Sequence, residues 1–74
     1  MKEKVLKVLQ EVNQLITDGV NLYDEGMIDS YGIMSIVIAL EDSFGIKIDL
    51  DDLETKNFET VDAITALVEK KSNN

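Results

Sequence analysis

The sequence has no cysteine, no histidine and no arginine among its 74 residues. Without cysteine there is no disulfide bond and no thiolate metal site, so the fold must be held by packing. Without histidine and cysteine, the commonest general base, the thiol nucleophiles and the usual zinc ligands are missing. Without arginine, no guanidinium group is present to bind a phosphate through two parallel N–H donors. These absences argue against a self-sufficient enzyme, and we expect no catalysis by the chain itself.

Basic residues are also few, because 7 lysines face 15 acidic residues and the net charge is −8. A field of this sign repels nucleic acid and anionic membranes and attracts basic protein surfaces, although acidity also serves solubility alone. No apolar run approaches the roughly 20 residues that cross a bilayer, and the charged start is followed by polar residues, unlike a signal peptide. We therefore expect a cytoplasmic protein with no nucleic-acid partner and no membrane insertion.

Apolar residues make up 45% of the chain, which suffices for one core in a single domain spanning residues 1–74. Hydrophobic residues recur at helical spacing over residues 2–16, over a segment from 29 or 30 to 44, and over residues 61–70. The prediction is an all-α bundle of three to four helices with a long first loop and a short third helix at 49–58. The predicted inward-facing residues outside the second helix are Val5, Leu9, Val12, Ile16, Ile46, Ile48, Leu50, Leu53, Phe58, Val61, Ile64, Leu67 and Val68, with Leu6, Val8 and Leu15 widening the stripe of the first helix. The predicted apolar stripe of the second helix is formed by Met34, Val37, Leu40 and Phe44, and it is broadened by Tyr31, Ile33 and Ile36.

The local signals at the helix ends are specific. Gly19 and Gly45 are expected to end the first and second helices, and Thr60 is expected to cap the last one. No helical period holds from residue 19 to 28, so we expect a loop there that Leu22 and Ile28 anchor in the core. The last residues, 72–74, should fray.

The second predicted helix is apolar over most of its circumference. It therefore either lies at the centre of the fold or presents apolar residues to a partner. The acidic run at 49–54 lacks the glycine and the oxygen spacing of a calcium loop. A solvated helix start explains that run better than a metal site does.

Ser30 stands where the first loop enters the second helix. A serine at such a place is most often a helix cap. Here Asp29 already supplies a capping side chain, which leaves the Ser30 hydroxyl free. Because a helix N-terminus favours anions, a phosphodiester attached to Ser30 would lie in a favourable field.

The stretch at 26–31, followed by an apolar helix, resembles the Asp-Ser-Leu attachment motif of acyl carrier proteins, with Tyr31 in place of the leucine. The resemblance continues through residues 40–46 and 57–61 and covers nearly the whole chain. It implies that Ser30 carries a 4′-phosphopantetheine arm, added from coenzyme A by a phosphopantetheinyl transferase that Asp29 helps to recognise. The arm would hold an acyl or aminoacyl group as a thioester and present it to loading and processing enzymes.

The resemblance also assigns roles along the second helix. The residues it gives to the arm's flanks and to basic or apolar docking sites of partners are Tyr31, Met34, Ile38, Glu41 and Asp42. The residues it gives to the interior that shelters cargo are Leu40, Phe44, Ile46 and Ile64. A monomer is expected.

Two questions stay open at this point. The first turns of the second helix lack the acids of many fatty-acid carriers, and its start also resembles carriers of D-alanine and of secondary metabolism. The cargo is therefore a fatty acyl group, a polyketide or an amino acid. The alternative function is a small acidic adaptor or inhibitor that binds a basic protein surface, with Ser30 only a cap.

Overall fold

The computed structural model describes residues 1–73, and within that range the chain is helical and has no strand. The helices are α1 (Lys2–Val12), α2 (Gly32–Phe44), α3 (Thr55–Phe58) and α4 (Val61–Ser72), with a 3-10 turn at Leu50–Asp52. Helix α1 packs against α2 and α4, and the short α3 packs against α4. The predicted small bundle with a long first loop and a short third helix is confirmed. The last residue of the predicted fraying end, Asn74, lies outside the described residues.

The core draws apolar side chains from all four helices and from the loops between them. Burying this apolar surface away from water is the main force that holds a bundle without disulfide bonds. Within residues 1–73, no helix has both the length and the apolar character that crossing a membrane requires. The buried apolar residues are Val5, Val8, Leu9, Ile16, Leu22, Ile28, Ile36, Val37, Leu40, Ile48, Phe58, Val61, Ile64, Leu67 and Val68.

Helix α1 ends at Val12, four residues before the predicted end at Ile16, so the prediction that Gly19 ends it is wrong. The cause is Asn13, whose backbone is extended and whose Oδ1 accepts a hydrogen bond from the N–H of Leu15 at 3.0 Å. Such local bonds compete with helical ones. The Asn13 amide also donates to the Met27 carbonyl at 3.1 Å. Ile16 is still buried, but Leu15 is exposed, so its predicted inward position is wrong.

The first loop is hydrogen-bonded to the short segment between α3 and α4. Leu22 is fully buried, and its N–H donates to the Glu59 carbonyl at 2.7 Å. Its own carbonyl accepts a hydrogen bond from Met27 at 2.8 Å. Ile28 is buried as well, so both predicted anchors are confirmed. These contacts fix the segment that leads to Ser30.

Helix α2 begins at Gly32 rather than at residue 29 or 30. Its inward face is formed by Ile36, Val37 and Leu40. Met34 precedes Ile36 by two positions, which places it about 200° around the helix at 3.6 residues per turn. Met34 is half exposed and Tyr31 is 88% exposed, so these two members of the predicted apolar stripe do not face the core. Gly45 ends the helix in the left-handed conformation, with φ of 63°, as predicted.

The segment after α2 differs most from the prediction. Ile48 is buried, but Leu50 is 86% exposed, so its predicted inward position is wrong. The buried residue of the 3-10 turn is Asp52, whose Oδ2 lies 2.6 Å from Nζ of Lys71 at the end of α4. The same Oδ2 accepts a hydrogen bond from the N–H of Asp49 at 2.9 Å. This ion pair turns the acid inward and leaves Leu50 in solvent.

A second ion-pair cluster joins three parts of the chain. Nζ of Lys2 in α1 lies 2.7 Å from Asp18 in the first loop and 2.8 Å from Asp62 in α4. Hydrogen bonds to these carboxylates raise the pKa of Lys2 to about 12. The hydrogen bond from Lys2 lowers the pKa of Asp18. The predicted cap of α4 is confirmed beside this cluster, where Thr60 Oγ1 accepts a hydrogen bond from the N–H of Ala63 at 3.0 Å.

Candidate functional site

Ser30 lies in the exposed turn that leads into α2. Asp29 closes this turn, because its Oδ1 accepts hydrogen bonds from the N–H groups of Tyr31 at 3.1 Å and Gly32 at 2.7 Å. The N–H of Ile33 donates to the Asp29 carbonyl at 3.1 Å and continues the helical bonding. The predicted capping role of Asp29 is confirmed. The Ser30 side chain makes no hydrogen bond within residues 1–73, so the cap does not use its hydroxyl.

Gly32 makes the close approach of Asp29 possible. A Cβ atom at this position would lie 3.3 Å from Asp29 Oδ1, which is tighter than most Cβ contacts in proteins. The missing side chain therefore leaves room for the capping carboxylate. The sequence did not predict this role of Gly32, because the short distance between Gly32 and the Asp29 carboxylate is seen only in the folded structure.

The field at Ser30 suits an attached phosphodiester. The start of a helix carries partial positive charge, which favours a nearby anion. The first turn of α2 holds no acidic residue. Asp29 is the nearest acid in the sequence, and its Oδ1 is already committed to two N–H donors. An exposed hydroxyl in this field has the room and the electrostatics that a covalently attached phosphate group needs.

On one side of Ser30, α2 exposes a row of large apolar side chains. Tyr31 is 88% exposed, Met34 is 50% exposed and Ile38 is 62% exposed. We call these three residues the apolar face. Together with Ser30 and Ser35 they line a shallow groove of about 330 Å³. The structure thus brings three of the five predicted partner residues together next to the serine.

A second space, of about 430 Å³, lies between the end of α1, the first loop and the start of α2. We call it the polar hollow. Ser35 and Tyr31 line both this hollow and the groove of the apolar face, so the two spaces meet at the start of α2. The polar and small residues that line the polar hollow are Asn13, Gly26, Asp29, Gly32 and Ser35, and Met27 is among its apolar ones.

The two predicted acidic partner residues lie further along α2 and differ in role. Oε2 of Glu41 accepts a hydrogen bond from the N–H of Ile48 at 2.8 Å and so holds the extended segment that follows the helix. Asp42 is exposed. Glu41 therefore has a structural task that the sequence did not reveal, whereas Asp42 is open to a partner.

The residues predicted to shelter cargo lie in or near the core. Leu40 and Ile64 are fully buried, and Phe44 and Ile46 are partly buried against the core. The Lys4 ammonium lies 5.1 Å from the centre of the Phe44 ring. These side chains therefore pack in or against the core of the protein.

The acidic run after α2 is engaged with a lysine. Lys71 Nζ lies 3.2 Å from Asp49 and 2.6 Å from Asp52. Within residues 1–73, no three acidic side chains converge on a point where a metal ion could be held.

Comparison with known proteins adds independent information. Residues 1–68 match the family model described as a phosphopantetheine attachment site. The chain is also similar to the D-alanyl carrier proteins of Bacillus cereus (strain B4264) and Bacillus anthracis (strain CDC 684 / NRRL 3495). Each is 26% identical over 73 residues, which cover 93% of this chain and 92% of the relative.

Proposed function

Since this chain belongs to the family that carries a phosphopantetheine attachment site, we propose that Ser30 is the residue to which its 4′-phosphopantetheine is attached. The family holds this group covalently, and the chain acts as its carrier. The observation that supports Ser30 is its free and exposed hydroxyl beside the capping Asp29 at the start of α2. The cap leaves the hydroxyl without a structural task.

Attachment would join Ser30 Oγ to the phosphorus of 4′-phosphopantetheine and break the bond from that phosphorus to the adenosine bisphosphate of coenzyme A. The hydroxyl proton would pass to a base of the transferase. The nearest carboxylate, Asp29, has its Oδ1 occupied by two backbone donors, and the sequence contains no histidine. When attached, the group supplies a thiol that holds cargo as a thioester.

We propose that partner enzymes contact the apolar face. Exposed large apolar side chains that lie together mark interaction sites, and Tyr31, Met34 and Ile38 adjoin the attachment residue. The absence of acids from the first turn of α2 favours an apolar contact over a purely electrostatic one. Asp42 would add charge at the far end of this surface.

For the cargo, we propose a small aminoacyl group and, in particular, a D-alanyl group. The similarity to D-alanyl carrier proteins supports this proposal. The residues that the resemblance gives to the cargo-sheltering interior are packed in or against the core. The two spaces beside Ser30 are both open to solvent at the start of α2, which suits a small polar cargo.

An intact-mass measurement tests the attachment. We expect the chain, after incubation with coenzyme A and a broad-specificity phosphopantetheinyl transferase, to gain the mass of one phosphopantetheine. Ser30→Ala should gain nothing. Ser35→Ala is the matched control, because Ser35 is an exposed serine beside the same groove, and it should gain the full mass. A gain retained in Ser30→Ala would contradict the proposal.

A second mass measurement tests the cargo. The phosphopantetheine form would be incubated with ATP, a D-alanine-activating ligase and D-alanine, and in parallel with an acyl-activating synthetase and a long-chain fatty acid. We expect the mass of one D-alanyl group in the first reaction, removed by hydroxylamine as a thioester is. Loading in the fatty-acid reaction alone would contradict the aminoacyl proposal.

A further inference from the structure

The two spaces beside Ser30 differ in chemistry, and this difference bears on where an attached arm rests. We infer that the polar hollow is the resting site of the phosphopantetheine arm, an inference that rests on the proposed attachment at Ser30. Both sequence neighbours of Ser30, Asp29 and Tyr31, line the hollow. Ser30 itself lines the groove of the apolar face, which meets the hollow at Tyr31 and Ser35. An arm that begins at Ser30 therefore needs to cross only the start of α2 to enter the hollow.

The arm matches the hollow in its polar groups. Phosphopantetheine contains a hydroxyl and two amides, and each amide has an N–H donor and a carbonyl acceptor. Oδ2 of Asp29 accepts no hydrogen bond within residues 1–73, because both capping bonds go to Oδ1. The Ser35 side chain also makes none within that range. The hollow thus offers a carboxylate oxygen to an N–H donor and a hydroxyl that both donates and accepts.

The arm also matches the hollow in its apolar part. Next to the attachment end it carries two methyl groups on one carbon, and the hollow has partly buried apolar walls that include Met27. Its volume of about 430 Å³ lies within the range of roughly 300–1,000 Å³ that holds small molecules in proteins.

The groove of the apolar face fits the arm less well. It is lined by Tyr31, Met34 and Ile38 and by two serines. Amides laid against apolar side chains lose water without gaining hydrogen bonds, which is unfavourable. Resting in the polar hollow keeps the apolar face open for a partner enzyme. The arm therefore rests in the polar hollow, while partner enzymes dock on the apolar face next to it.

Nuclear magnetic resonance on the full chain tests this assignment, after an intact-mass spectrum has established attachment. We expect nuclear Overhauser effects from the two methyl groups of the arm to the Met27 methyl and to the Gly32 and Ser35 amides. Effects to the methyl groups of Met34 or Ile38 instead, or to no residue of the chain, would overturn the inference. A chain that gained no mass would overturn the attachment at the first step.

Two variants on α2 distinguish the effect of filling the polar hollow from the effect of a substitution elsewhere on the helix. Ser35→Gln places a longer side chain at the hollow, and glutamine is a good helix former. We expect this variant to gain the arm's mass but to lose its contacts with Met27. Ser43→Gln is the matched control, because Ser43 is also exposed on α2 but lines neither space. It should keep these contacts, and their persistence in Ser35→Gln would contradict the assignment.

Discussion

Oδ1 of Asp29 accepts a hydrogen bond from the N–H of Gly32 at 2.7 Å. This bond closes the turn that contains Ser30, while the Ser30 side chain takes no part in it. The helix cap and the proposed attachment therefore fall on two adjacent residues. A serine that had to cap the helix would lose that cap on modification, whereas here the Asp29 cap would remain if Ser30 were modified.

Substitutions at these two positions should separate the two roles. Asp29→Ala removes a helix cap and should lower the free energy of unfolding by about 1 kcal/mol, the usual cost of such a loss. Asp29→Asn keeps an acceptor oxygen and should cost far less. Ser30→Ala should change stability by no more than about 0.5 kcal/mol, as for most surface substitutions. Urea unfolding measures all three, and equal losses in Ser30→Ala and Asp29→Ala would make the serine a cap.

The apolar face can be tested at its most distant member. Ile38→Ser removes a side chain that is 62% exposed, so the fold should keep its stability. If Ile38 is buried by partners, its loss should raise the KM of the loading enzyme for the chain about tenfold, which corresponds to about 1.4 kcal/mol. Leu15→Ser is the matched control, because Leu15 is also exposed and lines neither space beside Ser30. Equal KM values for the two variants would contradict docking at Ile38.

Two large apolar residues near α3 should differ sharply in their effect on stability. Phe58 is 1% exposed in the core, and Phe58→Ala should cost about 3–5 kcal/mol through lost burial and the cavity it leaves. Leu50 is 86% exposed, so Leu50→Ala should stay within about 0.5 kcal/mol. Thermal and urea unfolding compare the two. A large loss in Leu50→Ala would mean that this leucine packs inward after all.

The pair of Asp52 and Lys71 predicts a pH dependence of stability. The hydrogen bond from Lys71 is the main cause that lowers the pKa of Asp52, and the two side chains are only 11% and 13% exposed. An acid whose pKa is lowered by folding stabilises the fold above its unfolded pKa of about 3.9. This contribution is lost as pH falls through the folded pKa.

Lys71→Met should therefore be less stable than the parent near neutral pH and should lose less stability below about pH 4, because its Asp52 no longer has a lowered pKa. Lys7→Met is the matched control, since Lys7 is exposed on α1, and it should follow the parent curve. Urea unfolding at a series of pH values measures the three profiles. Parallel profiles for Lys71→Met and the parent would contradict the role of the pair.

Helix ends show how far local signals reach. Thr60 caps α4 and Gly45 ends α2 as their residue types predict, because each acts on backbone groups within a few positions. The end of α1 was predicted four residues too late, because the chain leaves the helix at Asn13, and Asn13 bonds to Met27, 14 positions away. The spacing of hydrophobic residues along the sequence predicts a helix but does not reveal contacts between residues so far apart.

The sequence by itself determined the helices, their order, the cap at Asp29 and the place of Ser30 at the start of α2, because periodicity and capping are local physical effects. The tertiary structure decided which faces are buried. It turned Met34 and Leu50 outward, since Ile36 and its neighbours fill the core side of α2 and Asp52 turns inward to pair with Lys71, 19 positions along the numbering. It also formed the polar hollow, because that space exists only where α1, the first loop and α2 meet.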